Sequence, residues 1–146
     1  MRDSPDGSVI DAASISWPAP PNLATEGVKT LELPVGDLKS GMGHIIENHS
    51  PMGTNTAGES VFDSLVMLNF DVFLQAGLPF GKVQSQPPGA LAIEVRAIAE
   101  IGADRDGVRT HDFRVVIFET PSLGPGGYNV ITAFPIKEGT AGQFKR

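Results

Sequence analysis

Two stretches near the C-terminus, Phe113-Arg114-Val115-Val116-Ile117-Phe118 and Tyr128-Asn129-Val130-Ile131-Thr132-Ala133-Phe134-Pro135-Ile136, decide the fold. Both are dense in β-branched and aromatic residues, the types that suit a pleated, half-buried surface. Pro121, Gly124, Pro125, Gly126 and Gly127 stand between them, so the two runs are expected to pair as a β-hairpin with a long connection. Working back along the chain, Ala90–Ala103 reads equally as strand or helix, and Phe80–Pro88, with Gly81 and Pro87-Pro88, reads as loop. A helix is expected from Ser60 to Ala76. Ser60 followed by Asp63 resembles a capping box, Gly77 and Pro79 supply a stop, and Phe62, Leu65, Val66, Phe70 and Phe73 share one stripe that should be core. A shorter helix is expected from Asp37 to Asn48, weakened by Gly41 and Gly43 at about 1 kcal/mol each and closed by Pro51. Val28–Val35 alternates imperfectly, and Pro34 confines it to an edge strand or short extended segment. Helices first and antiparallel strands later give an α+β domain, with N-terminal helices packed on a small, mainly antiparallel β-sheet that ends in a C-terminal hairpin.

Composition bounds the answer. At 146 residues the chain is sized for one domain, and 40% hydrophobic residues suffice for one core. With 17 Gly and 12 Pro, loops should be plentiful and long helices few. The absence of cysteine excludes disulfides and thiolate metal sites. No apolar run approaches the length of a membrane span, and the N-terminus lacks the pattern of a signal peptide. The formal charge of −6 argues against broad adhesion to nucleic acid, but residues 1–38 hold two basic and six acidic residues while 39–146 hold nine and eleven, so most of the imbalance lies in the first segment. That segment, rich in Ser, Pro, Ala and Asp around Trp17-Pro18-Ala19-Pro20-Pro21, reads over 1–38 as a linker or wrapping arm, with Trp17 free to dock or to move.

The chemistry-bearing residues are few. In Gly43-His44-Ile45-Ile46-Glu47-Asn48-His49, two of the three histidines stand five residues apart. Imidazole titrates near pH 6.5, so such a pair can supply both a proton acceptor and a proton donor. RNA carries its own nucleophile, the 2′-hydroxyl, and its cleavage needs a base, an acid and donors for the charged phosphorane, with no metal or cofactor. Five residues of helix turn through about 140°, so His44 and His49 should share one site only if the helix ends near Asn48. The alternative is that His44 caps or packs and His49 meets the last helical carbonyls. The metalloprotease pattern, with histidines at i and i+4 and glutamate directly after the first, is absent, and no carboxylate cluster of the kind a metal-dependent DNA nuclease needs lies near the histidines. Thr132 is either β-branched filler or a hydroxyl aimed at a ligand. Arg114, interrupting an apolar run, pairs either with a phosphate or with Asp112 or Glu119. His111 reads as solvent-facing. Lys82, Tyr128 and Phe134 can supply a cation and stacking surfaces for substrate binding.

Gly43-His44 with His49, Ser60-Val61-Phe62, Arg114-Val115-Val116-Ile117 and Gly127-Tyr128-Asn129-Val130-Ile131-Thr132-Ala133-Phe134-Pro135 together resemble the C-terminal ribonuclease domains of bacterial polymorphic toxins, carried by contact-dependent growth inhibition effectors. The ribonuclease A-like toxins, with a Gly-His-x4-His segment and a closing Thr-x-aromatic-Pro strand, are the nearer subgroup. The barnase/EndoU/colicin/RelE superfamily is the rival. The resemblance covers about residues 40–136 and rests on short motifs. It implies that 39–146 is a metal-independent endoribonuclease, secreted or delivered from the cell surface as part of a larger effector and acting in the target-cell cytoplasm on RNA such as tRNA. It also implies a cognate immunity protein that neutralises it. His44 and Thr132 carry over most directly as catalytic residues, followed by His49 and Arg114. Two departures stand out: no arginine lies between Pro51 and Glu59, and Phe134 replaces the tyrosine of some members. Phosphate contacts would then fall to Arg114. The competing reading is a non-catalytic binding or adaptor domain with structural histidines and the hairpin as its recognition surface.

Overall fold

In chain order the elements are β1 (Ile15–Pro18), α1 (Pro21–Ala24), β2 (Thr30–Leu33), α2 (Gly41–His49), β3 (Val61–Phe62), α3 (Ser64–Met67), α4 (Phe70–Gly77), β4 (Lys82–Gln86), β5 (Ala90–Arg96), β6 (Gly102–Ala103), β7 (Arg109–Thr110), β8 (Asp112–Glu119) and β9 (Gly127–Pro135). They come from a computed structural model that describes residues 14–36, 40–86 and 88–141. Among the described residues six strands pair in the order β1-β2-β9-β8-β5-β4, and β3, β6 and β7 form a second small sheet. Pairing is antiparallel except between β2 and β9. The fold is α+β, with helices and a mainly antiparallel sheet.

The expected hairpin is β8–β9, closed by a loop in which the Thr120 N–H donates to the Gly127 carbonyl at 2.8 Å. Its register contains the detail that matters most for the site. Val116 pairs with Thr132 but Ile117 pairs with Val130, so Ile131 is an extra residue, a β-bulge. Strict alternation from Tyr128 and Val130 would send Thr132 and Phe134 into the core. The bulge resets it, so that Tyr128, Val130 and Ala133 face the core while Asn129, Thr132 and Phe134 lie on the opposite face.

The core face is filled by Leu91, Ile93 and Val95 of β5, Phe113, Val115 and Ile117 of β8, and Leu31 and Leu33 of β2. Phe62, Phe70, Phe73 and Phe113 pack against one another there, with ring centroids 4.7–6.1 Å apart. Ala90–Ala103 resolves as a strand followed by a loop and β6. Five successive residues of β5, Leu91–Val95, are buried, so both faces are covered and no alternation was visible in the sequence.

The long helix expected from Ser60 to Ala76 is replaced by three pieces. Val61 and Phe62 pair with Ala103 and Gly102, the chain turns helical only after Asp63, and Asn69 (φ −136°, ψ 62°) separates α3 from α4. Phe62 and Phe70 are buried as expected of the stripe, whereas Leu65 is 80% exposed. The Asp63 carboxylate is bonded to the Arg109 guanidinium and caps nothing.

The segment read as a linker or wrapping arm is integrated from Ile15 onward; residues 1–13 and 37–39, including the expected helix start at Asp37, lie outside the described residues. β1 pairs with β2, β2 is flanked on its other side by β9 instead of standing at an edge, and Trp17 is docked in the core. Asn22 ties α1 to the turn after α4 by donating to the Leu78 and Gly81 carbonyls at 2.8 and 3.1 Å. The prolines around Trp17 had hidden a four-residue strand, whose partner is equally short. Among the described residues no helix is long and apolar enough to cross a membrane.

Candidate active site

β2 pairs only with Gly127–Asn129 of β9, and α2 packs against β9, whose upper half β2 leaves free. The start of α2 explains its glycines. Gly41 has φ +76°, and a Cβ there would come within 2.9 Å of the Pro34 carbonyl oxygen. The Met42 and Gly43 N–H groups donate to the Pro34 and Val35 carbonyls at 2.9 and 2.8 Å, satisfying donors that a helix start leaves open. Gly41 thereby seats α2 against the end of β2, a gain that outweighs its poor helix propensity. At the other end Ser50 is extended, as a residue before proline should be. Ile45 anchors the helix in the core.

The helix runs through His49, one residue beyond the expected end, yet the two imidazoles meet. The His44 and His49 ring centroids are 5.3 Å apart in an edge-on arrangement, and the Phe134 ring centroid lies 5.4 Å from that of His49. His49 is buried, and its Nδ1 lies 2.8 Å from the Ser60 carbonyl, which can only accept. The neutral ring therefore carries its proton on Nδ1 and leaves Nε2 as the lone-pair nitrogen. Burial, helped by the neighbouring His44, lowers the His49 pKa below the usual histidine value, while the Ser60 carbonyl works the other way.

From Phe134 a single row crosses the sheet. Phe134 is opposite Arg114, Arg114 opposite Glu94, and Glu94 opposite Lys82. The Arg114 guanidinium lies 5.9 Å from the Phe134 ring centroid. Its Nε donates to Glu94 Oε2 at 2.9 Å, and Nη2 donates to the same oxygen. Glu94 is thus the partner of Arg114, in place of Asp112 or Glu119. Asp112 instead holds Arg96, at 2.8 and 3.1 Å, and the Gly139 and Ala141 N–H groups. In the next row Thr132 faces Val116, and its hydroxyl is shielded from solvent without a hydrogen-bond partner.

Six of the seven residues singled out from the sequence thus lie on one face or beside it: Phe134, Arg114 and Lys82 along the row, Thr132 next to it, and His49 of α2 against Phe134 with His44 against His49. Tyr128 does not join them. It is in the core on the opposite face, six residues from Phe134, and burial together with Glu119 and Glu26 raises its pKa. His111, read as solvent-facing, makes an exposed contact to Glu138 at 3.1 Å. Glu94 is the residue that the sequence reading missed. Its signal was a lone carboxylate in the apolar run Ala-Leu-Ala-Ile-Glu-Val, legible only once that run is known to pair with β8. Among the described residues no group of three or more His, Asp or Glu side chains is placed to hold a metal.

The chain matches no family model, no curated protein and no solved structure. The functional reading therefore rests on the geometry of this face. A fixed neutral imidazole touches a second imidazole, an aromatic ring lies against the first, a guanidinium and a hydroxyl follow on the same face, and an ammonium stands three strands away at the end of the row. That set can move two protons and hold an anion between them.

Proposed function

We propose that the chain is a metal-independent endoribonuclease domain of the bacterial toxin type. The observation that carries this reading is the contact between His44 and His49, with His49 oriented by the Ser60 carbonyl beside the Phe134–Arg114 row. In the proposed reaction His49, neutral at pH 7, takes the 2′-hydroxyl proton at Nε2. The 2′-oxygen attacks phosphorus, the bond to the 5′-oxygen breaks, and protonated His44 gives its proton to the departing oxygen. The products are a 2′,3′-cyclic phosphate and a 5′-hydroxyl. Arg114 and the Thr132 hydroxyl donate to the phosphorane oxygens, Lys82 attracts a neighbouring phosphate, and Phe134 stacks with a base.

The toxin context belongs to the same proposal: delivery as the tip of a larger effector, action on RNA such as tRNA in the target-cell cytoplasm, and inhibition by a cognate immunity protein. The competing reading, a binding or adaptor domain, draws on the engagement of Arg114 by Glu94 and of His49 by Ser60, which gives both residues structural partners. Total RNA incubated with the purified protein in chelator separates the two. The proposal expects cleavage by the wild type and its loss, at unchanged fold, in His44→Ala and His49→Ala. Equal RNA integrity with all three proteins favours the adaptor.

A further inference from the structure

At the far end of the same face another row crosses the sheet. Ser16 is opposite Glu32, Glu32 opposite Asn129, Asn129 opposite Phe118, and Phe118 opposite Ala90. The row differs from the histidine end in charge, carrying a carboxylate and no cation. Phe118 is 43% exposed, and Gly89 lies against its ring, where an added Cβ would meet ring carbons at 3.4 and 3.5 Å. Asn129 Oδ1 is shielded from solvent with no hydrogen-bond partner, an arrangement that costs about 1–3 kcal/mol and that a ligand donor would relieve. Between the two rows lie Thr132, Val116 and Ala92, which form a floor of short side chains. Arg114 and Phe118 are four residues apart on β8, about 14 Å along the strand, a span compatible with single-stranded RNA laid along the face.

We infer that Glu32, Asn129 and Phe118 form a nucleobase-reading subsite that selects a base bearing an exocyclic amine, namely adenine, cytosine or guanine, over uracil. The inference rests on the ribonuclease reading for its ligand class. A phosphate is excluded at this row by the Glu32 carboxylate, so the part of a nucleotide that fits is the base. Its face stacks on Phe118. Its edge meets the acceptor-only carboxylate of Glu32 and the amide oxygen of Asn129, and an amine donates to both. Uracil has no exocyclic amine; its one edge donor, N3–H, stands between two carbonyl oxygens that would oppose the carboxylate. Half-buried Glu32 and exposed Phe118 flank Asn129 on either side of it in the row.

The test is binding of fluorescein-labelled 2′-O-methyl pentanucleotides, UUXUU, which cannot be cleaved through the 2′-oxygen, followed by anisotropy. With X as A, C or G the wild type is expected to bind about tenfold more tightly than with X as U, the scale of one good base-edge contact. Glu32→Gln and Asn129→Ala should each bring that ratio below about threefold while leaving UUUUU affinity nearly unchanged. Equal affinity for all four oligonucleotides, a ratio preserved in both variants, or no binding of any oligonucleotide would overturn the subsite. Cleavage of the matching 2′-hydroxyl oligonucleotides in chelator tests the ribonuclease reading separately, so either can fail alone.

Discussion

Replacing Arg114 by Met should destabilise the protein far more than a half-exposed residue ordinarily would. The Arg114 side chain is 31% exposed but that of Glu94 is only 1% exposed, and the Arg114 Nε and Nη2 both bond to Glu94 Oε2. Removing the guanidinium leaves a carboxylate out of water without its cation. Breaking a fully buried pair from one side costs about 3–5 kcal/mol. The partial exposure of Arg114 lets water reach the orphan and brings the expected loss to about 2–3 kcal/mol. For a chain of this size that corresponds to a fall in Tm of roughly 5–10 °C. Glu94→Gln, which removes the charge but keeps the shape and an amide oxygen, should cost less. The double variant Glu94→Gln/Arg114→Met should recover most of the loss, because no uncompensated charge remains buried. Urea denaturation of the four proteins at a common m-value measures the cycle. An Arg114→Met protein within about 0.5 kcal/mol of wild type, or a double variant no more stable than Arg114→Met, would refute the reasoning. The same cycle shows how much of any activity lost in Arg114→Met is lost fold.

Three further outcomes follow from the geometry. His49 has its pKa lowered by burial, so the unfolded chain binds the extra proton first; stability is fully present above about pH 6.5 and is lost as pH falls through the folded value. Urea midpoints between pH 7.5 and 5 should show that decline in the wild type and a flatter line in His49→Gln. Gly102→Ala places a Cβ 2.2 Å from the Val61 carbonyl oxygen and must displace β3, next to the carbonyl of Ser60 that orients His49. A loss of about 1–3 kcal/mol should be accompanied by a shifted His49 ring resonance, and an unchanged resonance would disconnect β3 from the site. Burial pushes the Asp112 pKa up, but the Arg96 bond and the Ala141 and Gly139 N–H groups outweigh it and hold it below the usual carboxylate range. Asp112→Asn should therefore lower stability at pH 7 by about 2 kcal/mol and shrink the loss of stability seen as the wild type is acidified through pH 4 and below.

How far the fold could be read from the sequence depended on whether each signal was local. The β8–β9 pairing was legible because both runs are long and the turn residues between them are unambiguous. Its bulge was not, since Ile131 looks like any other apolar strand residue, and yet the bulge is what brings Thr132 and Phe134 to the face of Arg114. The expected helix over Ser60–Ala76 failed because Val61 and Phe62 find strand partners some forty residues away at Gly102 and Ala103, which outbids the local apolar period. β1 was missed because its four residues sit among prolines and gain their order from β2. For the candidate site, the residue types were visible in the sequence but their company was not. His44 and His49 were recognisable by type and spacing, whereas Glu94 and the row from Phe134 to Lys82 exist only through strand register. Tyr128, chosen for its chemistry alone, belongs to the core because two-residue alternation before the bulge sends it there.

The central claim is that the face carrying His44 and His49 cleaves RNA through the 2′-hydroxyl. The most direct measurement is the analysis of the ends produced when the purified protein acts on a defined RNA oligonucleotide in chelator, beside one with a single 2′-deoxy substitution at the cleaved position. The account predicts 2′,3′-cyclic phosphate and 5′-hydroxyl ends, and no cutting at the substituted position. Intact RNA from a folded protein, or continued cutting at the 2′-deoxy position, would contradict it.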